Sequence, residues 1–268
     1  MLRLMTVWIV LLIVSSSVHA QDSPLRTLVT GDDAKAWEAV GRLNIGGTGF
    51  CTGALIAPNM VLTAAHCLYD SKTGRRIDHS KVEFLAGWRN GRASAYRSIR
   101  RTVVHPAYKY DKGVDSEGVG MDLALLELNH PIRDGKIHPF AHEARPQRGA
   151  KVAVVSYGTG RSEAPSLQEL CHVLALQQGM IVTSCNVDFG SSGAPIFIIE
   201  DGDVQIVSVV SAKAEVAGRP VSLGTSLGTP LEQLQAEMAA QRGTLDHSTR
   251  SDTRNDTGAK FARPNSDP

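Results

Sequence analysis

The chain has 268 residues, 28 basic against 27 acidic side chains, and a formal net charge of +1. A balance so close to zero carries no field for a polyanion, which excludes nucleic acid as a partner drawn in by bulk charge.

Residues 1–20, MLRLMTVWIVLLIVSSSVHA, read as a signal peptide: Arg3 precedes an apolar run from Leu4 to Val14, and Val18 and Ala20 suit small-residue cleavage. The run falls short of the roughly 20 residues that a membrane-spanning helix needs, and no later apolar stretch is longer. The processed chain is therefore expected to be secreted or periplasmic and off the membrane. Its four cysteines, Cys51, Cys67, Cys171 and Cys185, would meet an oxidising compartment, which favours disulfides over free thiols or a metal site. Four cysteines allow three pairings; the two local ones, Cys51 with Cys67 and Cys171 with Cys185, are favoured.

Residues 21–36 lack periodicity and read as an extended arm. Strand-like runs come next, punctuated by Gly, Asn, Asp and Pro: WEAVGRL, CTGALIA, MVLTAAH, KVEFLAG, RSIRRTVVH and MDLALLEL, then KVAVVSYG, LQELCHVLAL, GMIVTSC, APIFII, VQIVSVVSA and PVSLGTSL. LQELCHVLAL also fits a helical period. Six runs before residue 130 and six after 150 predict an all-β chain of two six-stranded antiparallel barrels, one over 37–130 and one over 151–242, joined by a linker at 131–150. A C-terminal helix is signalled inside the second unit by Thr229 as N-cap, Pro230 at the first position and Glu232 closing a capping box, with Leu231, Leu234 and Met238 on one face and Gly243 as its end. Residues 243–268 are polar and read as a disordered tail.

Three residues stand out chemically. His66, in LTAAHC, follows an apolar strand and adjoins Cys67, so a bridge to Cys51 would fix its backbone as a general base requires. Asp122, in GMDLALLEL, enters another apolar strand. It reads either as a turn former or as a carboxylate able to hold a histidine tautomer, with Asp111 and Asp115 as rivals in a looser segment. In CNVDFGSSGAPIF, glycines bracket two serines on a tight turn, the setting in which a hydroxyl is presented beside backbone N–H groups.

CTGALIAPNMVLTAAHC, VVHPAY with MDLALLEL, and GSSGAP together resemble the histidine, aspartate and serine motifs of the chymotrypsin/trypsin-like serine proteases, over about residues 37–241 and most like their bacterial branch. The order His, Asp, Ser is also that family's order. The resemblance implies that His66 is general base and acid, Asp122 its orienting carboxylate and Ser192 the nucleophile, with the N–H groups of Gly190 and Ser192 as oxyanion hole. It also implies a protein or peptide substrate held by Asn186, Phe189, Ser208, Val209 and Val210, with Ser208 close to the aspartate, acting as a monomer without metal or cofactor.

The chain departs from the family pattern at several positions. Ser191 stands where the family keeps an aspartate that pairs with a newly released N-terminus; RTLVTG at 26–31 is a poor echo of an activation site, and Asp188 is offered as a substitute carboxylate. Cys185 lies seven residues before Ser192, closer than usual, Asn186 replaces a charge-selecting aspartate, and Val207 stands where glutamate-specific relatives keep a histidine. The leading expectation is an exported serine endopeptidase. The alternatives are an inactive protease-like binding protein, favoured only by Ser191, and an esterase using the same triad.

Overall fold

A computed structural model describes residues 22–252 apart from 48, 111–115 and 143–144, so the signal-peptide reading and the rival acids Asp111 and Asp115 lie outside the described residues. The first barrel comprises β2 (Val40–Ile45), β3 (Gly49–Ala57), β4 (Met60–Thr63), β5 (Val82–Ala86), β6 (Ala95–Val104) and β7 (Ala124–Leu128), closed in the antiparallel order β2-β3-β4-β7-β6-β5. The second comprises β8 (Lys151–Gly158), β9 (Arg161–Gln177), β10 (Met180–Thr183), β11 (Pro195–Glu200), β12 (Asp203–Val216) and β13 (Arg219–Ser226). Because β8 pairs with both β9 and β11, these six strands also form a ring. The two-barrel fold with a C-terminal helix is the one the strand pattern predicts.

Apolar side chains cover both faces of several strands: Val40, Leu43, Leu55, Leu62, Phe84, Leu125 and Leu126 are buried around the first barrel, where every residue of β7 is buried, and Val154, Val173, Ile181, Ile196, Ile198 and Val207 are buried around the second. Each such side chain contributes about 1.5–3 kcal/mol on burial. The ambiguous LQELCHVLAL is strand, part of the long β9; Leu167, Cys171 and Val173 go inward while Leu174 and Leu176 stay exposed.

Two expectations need correction. The arm is not simply extended: β1 (Arg26–Thr27) adds to the outside of β9, the buried Leu28 anchors it, and Thr30 caps the short helix α1 (Gly31–Ala34) by accepting the Asp33 N–H at 3.1 Å. A two-residue strand has no period to read. At the other end, after the short α2 (Ser116–Gly120), helix α3 spans Gly228–Asp252, so Gly243 does not stop it. One glycine costs about 1 kcal/mol in a helix, and the preceding turns are held by buried Leu231, Leu234 and Met238 and by Arg242 on the buried Glu127. Residues 253–268 lie outside the described part.

The barrels meet across an aromatic triad, Trp37, Phe140 and Phe197, with ring centroids 4.7–6.2 Å apart. Polar bonds cross the same seam. The Tyr157 hydroxyl donates to Trp88 O at 2.8 Å, and the Thr52 N–H donates to Ser192 O at 2.8 Å. Among the described residues, no helix is long and apolar enough to cross a membrane.

Candidate active site

At the end of β4, Ala65–Leu68 coil into a single helical turn that carries His66, and the Cys51–Cys67 disulfide ties this turn to β3. Both sulfurs of that bridge are consumed, so the nearby Cys51, His66 and Cys67 offer no thiolate for a metal. The second bridge, Cys171–Cys185, joins β9 to the segment before the serine turn. Both local pairings are therefore formed.

Asp122 sits just ahead of β7 with only 4% of its side chain exposed. Its Oδ1 accepts the His66 backbone N–H at 2.8 Å, and its Oδ2 lies 2.6 Å from His66 Nδ1. This two-point grip fixes both the imidazole plane and the tautomer with the proton on Nδ1. Burial disfavours the charged imidazole, but the Asp122 charge and hydrogen bond outweigh it and hold the His66 pKa above its ordinary 6.5. Tyr108, tilted against Tyr69, which in turn stacks on Tyr110, has its phenol pushed far up by burial and then by the Asp122 charge, so it stays neutral.

A third group completes the carboxylate's shell, and it is not the one expected. Ser211 Oγ donates to Asp122 Oδ2, whereas Ser208 is buried and donates to Thr225 O at 2.9 Å. The cause is a bulge. Val210 pairs with Gly224 and Ala212 with Leu223, so Ser211 is the extra residue of β12 and its hydroxyl is re-aimed toward the site. Val209 and Val210, expected with Ser208 to hold the substrate, have their side chains buried. Val207 and Val209 are core side chains, and Val210, equally buried, is the residue before the aspartate-contacting serine.

The serine turn is pinned plane by plane. Phe189 O accepts the Thr159 N–H at 2.8 Å, Gly190 O accepts Thr52 Oγ1 at 2.8 Å, Ser191 O accepts the Ala194 N–H at 2.9 Å, and Ser192 O accepts the Thr52 N–H at 2.8 Å. In a trans peptide the C=O and the following N–H point oppositely. Fixing the carbonyls of Phe189 and Ser191 on the protein therefore aims the N–H groups of Gly190 and Ser192 the other way, and neither donates to another described residue. Two glycines make this possible. Gly193, at φ +78°, has no room for a Cβ, which would fall 2.0 Å from Thr63 Oγ1 and 2.3 Å from Thr52 O; at Gly190, φ +95°, a Cβ would fall 2.3 Å from the Phe50 ring.

Gly193 thus seats closely on Thr63 and Ala64, two to three residues before His66. Ser192 is partly exposed, and its Oγ makes no hydrogen bond to His66 here. Such bonds are often long in free enzymes and tighten when substrate binds. Of the other expected residues, Phe189 is 85% exposed beside the turn. Asn186 is exposed rather than enclosed, its backbone N–H held by Gln168 Oε1 at 2.7 Å. Asp188 is half-exposed: its Oδ1 accepts the Phe189 N–H at 2.9 Å and lies 3.9 Å from Lys213 Nζ, and its charge also acts on Arg161.

Comparison with known proteins agrees with this geometry. The Trypsin family model matches residues 29–225. Glutamyl endopeptidase of Bacillus licheniformis is 25% identical over 173 residues, covering 64% of this chain and 52% of that protein. Trypsin Blo t 3 of Blomia tropicalis is 27% identical over 178 residues, 63% of this chain and 61% of that one, and human Serine protease 23 is 27% identical over 168 residues, 55% and 43%. The chain thus spans about half the length of these relatives. A solved structure titled as a Glu endopeptidase in complex with MPD superposes with a TM-score of 0.66 at 16% identity, covering 82% of this chain and 98% of that one.

Proposed function

Because the chain belongs to the trypsin family of serine proteases, we propose that it is an exported serine endopeptidase that works through His66, Asp122 and Ser192. One observation carries the reading: a buried carboxylate holds His66 at two points, its backbone N–H and its imidazole Nδ1, while both neighbouring turn amides, Gly190 and Ser192, are left to donate.

Ser192 Oγ attacks the scissile carbonyl as His66 Nε2 takes its proton. Asp122 keeps the Nδ1 proton in place and stabilises the imidazolium that forms. The negative charge on the carbonyl oxygen is met by the Gly190 and Ser192 N–H groups, each such donor contributing on the order of 10²–10³ in rate. Collapse expels the amine, protonated by His66, and leaves an acyl-Ser192 ester; water then enters by the same base and releases the acid. The exposed, uncharged Asn186 offers no opposite charge to a basic side chain, so a strong Arg or Lys preference is not expected. Export is supported by the leader-like residues 1–20 and by two disulfides with no free cysteine among the described residues.

Digestion of a peptide library by the processed protein, with the cut sites mapped, tests this. Cleavage abolished in Ser192→Ala is expected. Hydrolysis of small esters with no peptide bond cut would point to the esterase, and no Ser192-dependent turnover would refute the reading.

A further inference from the structure

Ser191, the residue between the two donating amides, is fully buried and surrounded by polar partners. Arg161 Nη2 donates to its Oγ at 2.8 Å, the Asp188 N–H donates to it at 3.2 Å, and Ser156 Oγ and Tyr157 O lie at 3.3 and 3.2 Å. Arg161 itself comes from the start of β9 and folds back beneath its own hairpin. Its Nη1 donates to Ser156 O and its Nη2 to Ser156 Oγ at 3.0 Å. The guanidinium lies flat across Gly158, where a Cβ would meet Cζ at 2.7 Å, so the hairpin is shaped around it. The same hairpin holds the turn at a second point, through the Thr159 N–H on Phe189 O.

We propose that Arg161 is a positioning residue for the oxyanion turn, and that through Ser191 it sets this turn on folding, without help from a chain end released by processing. This rests on the serine endopeptidase reading. A guanidinium is a fixed fork with several donors, and here one fork spans Ser156 and Ser191, so the hairpin and the turn move as one body. A hydroxyl in Ser191 suits it, because Oγ can accept from Arg161 and still donate to Tyr157 O. The described start of the chain is engaged elsewhere. The Ser23 N–H donates to Leu170 O, Asp22 lies 2.9 Å from His172 Nδ1, and Arg26–Thr27 pair with Ser166–Leu167. Residue 22 is thus anchored eleven residues along β9 from Arg161, at His172, about 36 Å of strand.

The test uses the full, processed chain, with turnover expressed per active site titrated by a fluorophosphonate. Arg161→Ala is expected to lower kcat roughly 10–100-fold with KM within about twofold, a partial loss of what one oxyanion donor supplies. Arg161→Lys should restore part of it. Should Arg161→Ala fail to fold, Ser191→Ala, which leaves the Arg161–Ser156 bonds intact, is expected to lower kcat per site about tenfold. Acetylation of the processed N-terminus should change kcat less than twofold. Turnover per site unchanged in Arg161→Ala or Ser191→Ala, or lost on acetylation, would overturn the proposal and leave the endopeptidase reading standing; wild-type protein without Ser192-dependent turnover would instead remove that reading.

Discussion

Replacing Thr52 by valine isolates the joint between the two barrels. The side chain is fully buried, and valine keeps its shape while removing the hydroxyl. Two contacts go: the bond donated by Oγ1 to Gly190 O at 2.8 Å and the one it accepts from the Tyr157 N–H at 3.1 Å. Both surviving groups are buried backbone, and each costs about 1–3 kcal/mol when left unpaired. The loss of the valine variant should therefore be about 2–6 kcal/mol, read as a lower urea midpoint at constant m. The Gly190 carbonyl is also one of the four that hold the serine turn, so kcat per titrated site should fall by at least tenfold. The Thr52 N–H to Ser192 O bond survives, so substrate affinity should change little. A variant within about 0.5 kcal/mol of wild type, the range of a neutral surface change, with unchanged kcat would refute the reasoning that Thr52 couples barrel packing to the site.

Turnover requires neutral His66, so kcat/KM should be lost as pH falls through a midpoint above 6.5; Asp122→Asn removes the charge that raises it, leaving burial to act alone, and should move that midpoint below 6.5 while lowering the plateau. For stability the sign is opposite. A histidine with a raised folded pKa contributes most below its unfolded value and loses that contribution as pH rises through the folded one, which urea midpoints across pH 5–9 would read in wild type against Asp122→Asn. Removing the Cys51–Cys67 bridge by a double alanine change opens a loop of 16 residues and should cost about 3 kcal/mol in chemical denaturation. Glu127→Ala strands the partly buried Arg101, and the more exposed Arg242 on α3, without their buried carboxylate, and should cost about 3 kcal/mol in the same assay.

Much of the fold was legible in the chain because its signals are local. Twelve strand-like runs bounded by Gly, Asn, Asp and Pro correspond to the twelve barrel strands, and His66, Asp122 and Ser192 each carry their own flanking motif. What escaped depends on register or on distant partners. Nothing in SVVSA says that the second serine is the bulged residue, so Ser208 was the natural choice over Ser211, and only pairing with β13 decides it. Arg161 and Ser191 are thirty residues apart, and the short hairpin turn that folds one onto the other leaves no pattern in either segment. Thr52, beside Cys51, looked like part of a strand; its role arises where that strand touches a turn of the other barrel.

A nucleophilic Ser192, served by His66 and by a formed oxyanion hole, should react with a fluorophosphonate, and mass mapping of the adduct on the processed protein reads this out. A single adduct on Ser192 is expected, slowed greatly by His66→Ala and absent in Ser192→Ala, with none on the buried Ser191. Folded protein that takes up no label, or that takes it up equally well without His66, would contradict this role for Ser192.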